Sequence, residues 1–295
     1  EEFGREDILQ ELQNAVDELE IEVEKLRQEN TEEDDDHVIL GTCRFSREGK
    51  TRSPATQSRD LLLYLPGVGG LNIEAREQFD FLSASFDTWC MTVDGSDRSS
   101  FEDLYHEIRE FLDVVGVTEE RRAVLVGSSF GGLLALKIAH QCKSRLRGLV
   151  LVNPATSFNG SAIHRVGSFV AHAPSPEMFG ATAVLALAAS IPDTAMASRY
   201  MREFEALPPQ EVPVRLKDLA DEWLGLTMGL FSGTAQETLR WRLKHWLGEG
   251  TQEVEPLLCE ITLPVLVLAG GEDHILPSVD EAERLSHLIP SCQKA

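Results

Sequence analysis

Residues 123–140 read AVLVGSSFGGLLALKIAH: an apolar run, a Gly-x-Ser-x-Gly turn and apolar residues at helical spacing. This order predicts a buried strand that turns sharply into a helix, the context in which the motif presents a reactive serine. Gly127 and Gly131 flank Ser129 because such a turn leaves no room for side chains two residues to either side. The turn also points the first N–H groups of the helix, beginning with that of Phe130, at whatever the hydroxyl attacks. We therefore predict that Ser129 is a nucleophile.

Strand and helix patterns alternate on both sides of this turn, which predicts an α/β fold with a mostly parallel, doubly wound sheet. The apolar runs are nearly continuous, as expected for strands that helices cover on both faces. Between about 153 and 260 the pattern changes to helical pieces without a convincing strand, and we interpret residues 156–260 as a helical lid. Strands are predicted at 60–65, 88–94, 122–127, 146–152 and 264–269, and helices at 73–85, 101–115, 130–142 and 279–288.

The composition limits the class of protein. A chain of 295 residues, 42% of them hydrophobic, can bury a large core as one α/β domain. No apolar run approaches the roughly 18 residues of a membrane span, so no transmembrane segment is predicted. Five scattered cysteines without a Cys-x-x-Cys pair indicate reduced thiols in an intracellular compartment. The net charge of −22 argues against nucleic acid as a partner, because phosphates need a basic surface.

Residues 1–36 hold sixteen acidic and three basic side chains and are predicted to form a helix and linker ahead of a domain at 37–295. Within them, residues 12–26 carry a heptad-like apolar seam that predicts a coiled coil with a partner. The alternative is a solvated helix, since the stretch is short and repels itself. The seam consists of Leu12, Val16, Leu19, Val23 and Leu26.

A second motif follows the predicted strand at 60–65. Residues 61–70 read LLLYLPGVGG, an apolar strand that ends in a loop with three glycines. Such a loop brings a backbone N–H, that of Val68 or Gly69, opposite the N–H of Phe130 as the second donor of an oxyanion hole. The alternative is an ordinary glycine-rich turn. The loop is no phosphate cradle, because it lacks the Gly-Lys-Ser/Thr ending.

Residues 265–277, VLVLAGGEDHILP, form an apolar strand and a turn that presents Asp273 as the acid of a catalytic triad. Its position after Ser129 agrees with the Ser…Asp…His order of α/β-hydrolases, so we predict that fold. A carboxylate at a strand end can instead cap the next helix, although Pro277 and Ser278 are better placed for capping.

No histidine in the sequence occupies the expected position of the base. The base should follow one further strand, but the 22 residues after Asp273 contain only one helix. We therefore predict that the sheet lacks its last strand and that the base follows Ala295. Without that base, residues 1–295 alone would be inactive. Residues 106–110, HEIRE, lack a second histidine four positions on, so neither a metal site nor a cofactor is predicted.

Five blocks occur together in one known family. From about residue 59 onward the chain resembles the plant and algal esterase/lipase/thioesterase proteins of the phytyl ester synthase type, also described as plastid acyltransferase-like. The blocks are LLYLPG (62–67), VLVGSSFGG (124–132), LVLVNPATSF (149–158), ETLRWRLK (237–244) and PVLVLAGGED (264–273).

The resemblance implies that an acyltransferase domain follows the α/β-hydrolase domain and that both act in phytyl ester and triacylglycerol synthesis in chloroplasts. It implies Ser129 as nucleophile, Asp273 as acid and a histidine in a Gly-His step after Ala295. The implied partners are an acyl donor (acyl ester, acyl-CoA or acyl-ACP) and an alcohol such as phytol, with peripheral association with membranes or lipid bodies.

We therefore expect serine-dependent acyl transfer or hydrolysis on lipid esters or acyl thioesters, the chemistry of an esterase, lipase or O-acyltransferase. A second hypothesis is a catalytically silent module that binds lipid or a protein partner. A third is a non-ester reaction on the same fold, such as that of a haloperoxidase. Apolar residues of the predicted lid could line an acyl-chain site, although most would serve packing: Phe158, Phe169, Met178, Phe179, Met196, Met201, Trp223, Met228 and Phe231.

Overall fold

Eight strands pair into one sheet, in the spatial order first, second, fourth, third, fifth, sixth, seventh, eighth. The computed structural model of the chain describes residues 36–49, 59–72, 75–160, 208, 236–271, 273 and 276–295. The strands are β1 (His37–Leu40), β2 (Cys43–Arg47), β3 (Leu61–Leu65), β4 (Asp87–Val93), β5 (Ala123–Ser128), β6 (Leu146–Val152), β7 (Val265–Leu268) and β8 (Cys292–Lys294).

The mostly parallel sheet is confirmed, and all five predicted strands form it. β3 to β8 run parallel, whereas β1 pairs antiparallel with β2 and β2 antiparallel with β4. The first hairpin was not predicted, because its strands are short and mix polar with apolar residues.

The prediction that the last strand is missing is wrong. Cys292–Lys294 form β8 beside β7, and the N–H of Ala295 continues the ladder to the carbonyl of Val267 at 2.9 Å. β8 has only three residues, two of them exposed, so no apolar pattern in the sequence predicts it. Its main-chain hydrogen bonds alone define it as a strand.

Helices cover the sheet and begin or end within a few residues of the predicted positions. The predicted helix at 73–85 is shorter than expected. The helices are α1 (Arg76–Leu82), α2 (Phe101–Val114), α3 (Phe130–Gln141), α4 (Gln236–Trp241), α5 (Glu249–Val254) and α6 (Ser278–Leu288), with a π-helical segment (Arg242–Gly248) between α4 and α5. Shorter 3₁₀ turns lie at Lys143–Arg145, Ala155–Gly160 and Glu255–Glu260.

The described ends of the predicted lid pack into the core of the sheet domain. Phe158 at its start is buried, and Leu239, Trp246 and Val254 near its end belong to the same apolar cluster as the strands and α3. Residues 161–207 and 209–235 of the predicted lid lie outside the described residues, as do residues 1–35 with the predicted coiled coil. None of the helices that the structure describes is long and apolar enough to cross a membrane.

Candidate active site

Ser129 lies in the turn between β5 and α3, in a backbone conformation that side chains rarely adopt, with φ +47°. The backbone of the neighbouring strand end fixes it there. Its N–H donates to the carbonyl of Val152 at 2.9 Å, and its carbonyl accepts from the N–H groups of Gly132 at 3.1 Å and Ala155 at 3.0 Å. Strain of this kind persists only where the surroundings determine it, and it concentrates at functional sites.

The space around the two motif glycines is too small for a side chain. A Cβ on Gly127 would lie 2.4 Å from the carbonyl oxygen of Gly131, and a Cβ on Gly131 would lie 2.1 Å from that of Leu65. Both neighbours are backbone atoms that cannot rotate away. The strand therefore enters the helix without a side chain two residues before or after Ser129.

The glycine-rich loop after β3 begins directly beside this turn. Leu65 pairs with Gly127 across the sheet, and the loop closes a tight turn in which the N–H of Gly70 donates to the carbonyl of Gly67 at 3.0 Å. The N–H groups of Val68 and Gly69, the predicted oxyanion donors, form no hydrogen bond with the part of the chain that the structure describes.

The second predicted donor, the N–H of Phe130, belongs to the first turn of α3, where no intrahelical carbonyl is available to it. Its side chain is buried and stacks on Trp246, with ring centroids 4.7 Å apart. The rings therefore fix the start of α3 against the segment that follows α4.

Arg242 is a residue of this region that sequence reasoning missed. Its side chain is buried, and its guanidinium donates to the carbonyls of Val68 at 3.0 Å and Gly69 at 3.1 Å. Burial lowers the pKa of Arg242 to about 10, against the opposing effect of the nearby carboxylates of Asp97 and Asp94. The sequence holds a signal for its burial, because Arg242 lies at helical spacing on the apolar stripe formed by Leu239, Leu243 and Trp246.

Asp273 follows β7, on the same edge of the sheet as Ser129, with β6 between the two strands. Strand spacing puts the ends of β5 and β7 about 10 Å apart. The half-buried carboxylate accepts from the N–H of Leu276 at 3.1 Å and from the hydroxyl of Ser278. It therefore orders the turn ahead of α6, and a carboxylate still has acceptor sites for a further donor.

Asn153 is a second residue that sequence reasoning gave no role. It follows β6 with φ +42°, and its side-chain oxygen accepts from the N–H of Gly270 at 2.7 Å. Its own N–H donates to the carbonyl of Leu268 at 3.0 Å. Since Val152 and Ala155 bind the backbone of Ser129, this short segment connects the serine turn with the loop that holds Asp273.

The histidines that the structure describes form no hydrogen bond with Ser129. His140 lies at the far end of α3, about 16 Å along the helix, and pairs with Glu260 at 2.9 Å. His106 and His287 are exposed and pair with acids on their own helices, and His245 pairs with Glu249. His37 lies on β1, four strands from β5.

No group of three or more His, Cys, Asp or Glu side chains that could hold a metal ion occurs in the described ranges. His164, His172 and His274 lie outside them, as does Glu272 beside Asp273.

Known proteins resemble the chain in sequence and in fold. The model of the family described as "alpha/beta hydrolase fold" matches residues 60–294. Phytyl ester synthase 1, chloroplastic, of Arabidopsis thaliana is 31% identical over 232 residues, which are 78% of this chain and 32% of that protein. Phytyl ester synthase 2, chloroplastic, of the same plant is 28% identical over 236 residues, 79% of this chain and 33% of that protein. The chain thus spans about a third of the length of these relatives.

Solved structures share the fold at low sequence identity. The enol-lactonase from Burkholderia xenovorans LB400 superposes with a TM-score of 0.57 at 17% identity, covering 88% of this chain and 90% of that one. MenH from S. aureus gives a TM-score of 0.55 at 17% identity, covering 87% and 89%.

Proposed function

The chain belongs to the α/β-hydrolase fold family, and on that premise we propose that it performs serine-dependent acyl transfer or hydrolysis on lipid esters or acyl thioesters. The observation that carries the proposal is the strained Ser129, placed between two glycines whose replacement would collide with backbone. A serine in that position is exposed to substrate and lies at the N-terminus of α3, where a developing negative charge is stabilised.

The proposed reaction proceeds in two steps. The Oγ of Ser129 attacks the acyl carbonyl carbon while a histidine takes the hydroxyl proton. The N–H groups of Phe130 and of Val68 or Gly69 stabilise the oxyanion, and its collapse releases the alcohol or thiol, which takes the proton. Water or an alcohol then gives its proton to the histidine and attacks the acyl-enzyme. The bond between the acyl carbon and Oγ of Ser129 breaks, Oγ takes the proton, and a free acid or a new ester leaves.

Asp273 would orient the histidine and stabilise its charged form. Its place on the same sheet edge as Ser129 supports this role. We propose that the base is none of the described histidines, because these pair elsewhere or lie far from Ser129, and that it follows Ala295, as the family resemblance implies.

The names of the Arabidopsis relatives suggest the substrates and the compartment. We propose a fatty acyl donor, an alcohol of the phytol class as acceptor and a location in the chloroplast, with peripheral association with membranes or lipid bodies. Residues 12–26 remain a proposed coiled-coil contact with a partner.

A fluorophosphonate probe tests the nucleophile in the full-length protein. We expect the wild type to be labelled and Ser129→Ala to remain unlabelled, while Ser128→Ala, which changes the adjacent hydroxyl, keeps the label. Equal labelling of Ser129→Ala would contradict the assignment. A wild type that resists the probe although folded would favour the silent binding module. Labelling of the 295-residue chain alone would place the base among its own eight histidines.

A further inference from the structure

The burial of the Arg242 side chain carries a cost in free energy. Its side chain is 0% exposed, and a buried charge costs free energy unless hydrogen bonds satisfy it. Its guanidinium donates hydrogen bonds to three main-chain carbonyls, those of Val68 at 3.0 Å, Gly69 at 3.1 Å and Asp94 at 2.5 Å. Arg242 therefore binds the backbone of two loops, one after β3 and one after β4.

The bond to Val68 has a consequence for the direction of an N–H group. In a trans peptide the carbonyl and the following N–H point in opposite directions. The carbonyl of Val68 points at the guanidinium, so the N–H of Gly69 points away from it. The peptide before Val68 is held as well, because its carbonyl, that of Gly67, accepts from the N–H of Gly70. The two predicted donors of this loop thus have fixed directions.

The same side chain also contacts the other half of the predicted oxyanion hole. The guanidinium lies over the ring of Trp246, 4.2 Å from its centroid. Trp246 stacks on Phe130 at an interplanar angle of 15°, and its indole N–H donates to the carbonyl of Ser99 at 2.8 Å. One stack therefore connects Arg242 to the residue whose N–H begins α3.

We propose that Arg242 is a positioning residue that holds the glycine-rich loop and the start of α3 in register, so that their N–H groups converge on one oxyanion. The proposal rests on the proposed function, since it needs Ser129 to form a tetrahedral intermediate. Preorganised donors stabilise the transition state more than the bound substrate, so the loss of Arg242 should lower kcat more than it changes KM.

A planar guanidinium suits this task better than an ammonium. It spreads its donors over a rigid fork and stacks on aromatic rings, whereas a lysine carries one compact charge on a flexible stem. We therefore expect Arg242→Lys to keep the charge and lose part of the loop's order.

The experiment compares Arg242→Met with Arg98→Met in the full-length protein. Arg98 also connects the loop after β4 to α4, through Glu237 at 3.0 Å, but its side chain is 46% exposed, and its hydrogen bonds among the described residues go to α4 and not to the glycine-rich loop. Hydrolysis of a p-nitrophenyl acyl ester gives kcat and KM. End-point titration with a fluorophosphonate counts the reactive serines, and thermal unfolding reports stability.

We expect kcat per titrated serine to fall on the order of 10- to 100-fold in Arg242→Met, with KM within about threefold of wild type. In Arg98→Met both kcat and KM should stay near wild type. In Arg242→Lys, kcat should lie between the values of Arg242→Met and Arg98→Met. A purely structural role would lower the melting temperature and the number of titrated serines while kcat per serine stayed unchanged, and that result would overturn the proposal.

If Arg242→Met does not fold, Arg242→Lys decides, and wild-type kcat in that variant would equally overturn the proposal. If the wild type shows no turnover, or turnover that Ser129→Ala does not abolish, the proposed function is overturned, and the role of Arg242 is overturned with it. The two failures are therefore distinguishable.

Discussion

Gly131 shows how little space surrounds the candidate nucleophile. A Cβ at this position would meet the carbonyl oxygens of Leu65 at 2.1 Å and Pro66 at 2.8 Å, where β3 ends and the loop with the second predicted oxyanion donor begins. The motif glycine therefore does more than permit a tight turn. It allows the backbone after β3 to approach the start of α3.

We expect Gly131→Ala to lower the free energy of unfolding by about 3 kcal/mol, because the backbone must shift to relieve the collision. Gly271→Ala is the matched control, since no atom of the described residues lies within 4 Å of a Cβ at that position. It should be neutral or slightly stabilising. Urea denaturation of the two variants and the wild type measures the difference. A similar cost at both positions would contradict the steric argument.

Helix α2 begins with a reciprocal pair of hydrogen bonds that its sequence encodes. The hydroxyl of Ser100 accepts from the N–H of Asp103 at 3.1 Å, and the Asp103 carboxylate accepts from the N–H of Ser100 at 2.9 Å. This capping box satisfies two N–H groups that have no partner within the helix. The hydrogen bonds from the hydroxyl and the N–H of Ser100 lower the pKa of Asp103.

The lowered pKa predicts a pH-dependent effect of Asp103→Asn. A carboxyl group with a lowered pKa in the folded protein stabilises it above the pKa of the unfolded chain, and the contribution disappears as pH falls through the folded value. Because solvent screens this exposed carboxylate, Asp103→Asn should cost no more than about 1 kcal/mol at pH 5 and pH 7, and less below about pH 4.

Urea denaturation at three pH values measures the cost of Asp103→Asn. Glu110→Gln on the same helix is the control, because Glu110 forms no hydrogen bond or ion pair among the described residues, and it should change stability little. A cost that stays constant down to pH 3 would refute the role of the carboxylate charge.

The helical run from α4 to α5 places Arg242 and Trp246 together. Backbone angles remain helical at both junctions of the π-helical segment, so α4, the segment and α5 form one continuous helix. Within the segment the buried residues are Arg242, Leu243, Trp246 and Leu247. π-Helical turns are rare and often occur at functional sites, which agrees with the proposed role of Arg242.

At the scale of the whole molecule, the candidate active site and a buried cluster of ion pairs lie at opposite ends of the parallel strands. Ser129, the glycine-rich loop, Asn153 and Asp273 all follow the carboxyl ends of parallel strands, where α/β proteins bind ligands. At the amino end of β4, the buried carboxylate of Asp87 pairs with Arg47 of β2 at 2.9 Å and with Arg121 ahead of β5 at 2.6 Å.

Asp87→Asn should therefore lower the free energy of unfolding by about 3 kcal/mol, because two partly buried arginines lose their charged partner. Asp113→Asn is the control, since Asp113 itself is exposed and its pair with Arg145 at 2.7 Å should contribute less than about 1 kcal/mol. Chemical denaturation measures both costs. Fluorophosphonate labelling per folded molecule should stay at the wild-type level in both variants, and a loss in Asp87→Asn would contradict the separation of the candidate active site from the ion pairs.

The sequence by itself determined the five apolar strands, the turn at Ser129 and the reason for its glycines. Buried strands appear in it as continuous hydrophobic runs, and close backbone approach appears as glycine within a few residues of the turn. It did not reveal β1, β2 or β8, because these strands are short, without a long apolar run, and are defined by main-chain pairing, in β2 and β8 with strands far along the chain. Nor did it show that Asn153 and Arg242 bind the loops around Ser129. Those contacts join residues more than a hundred positions apart, and only the tertiary structure decides which carbonyl a buried donor will meet.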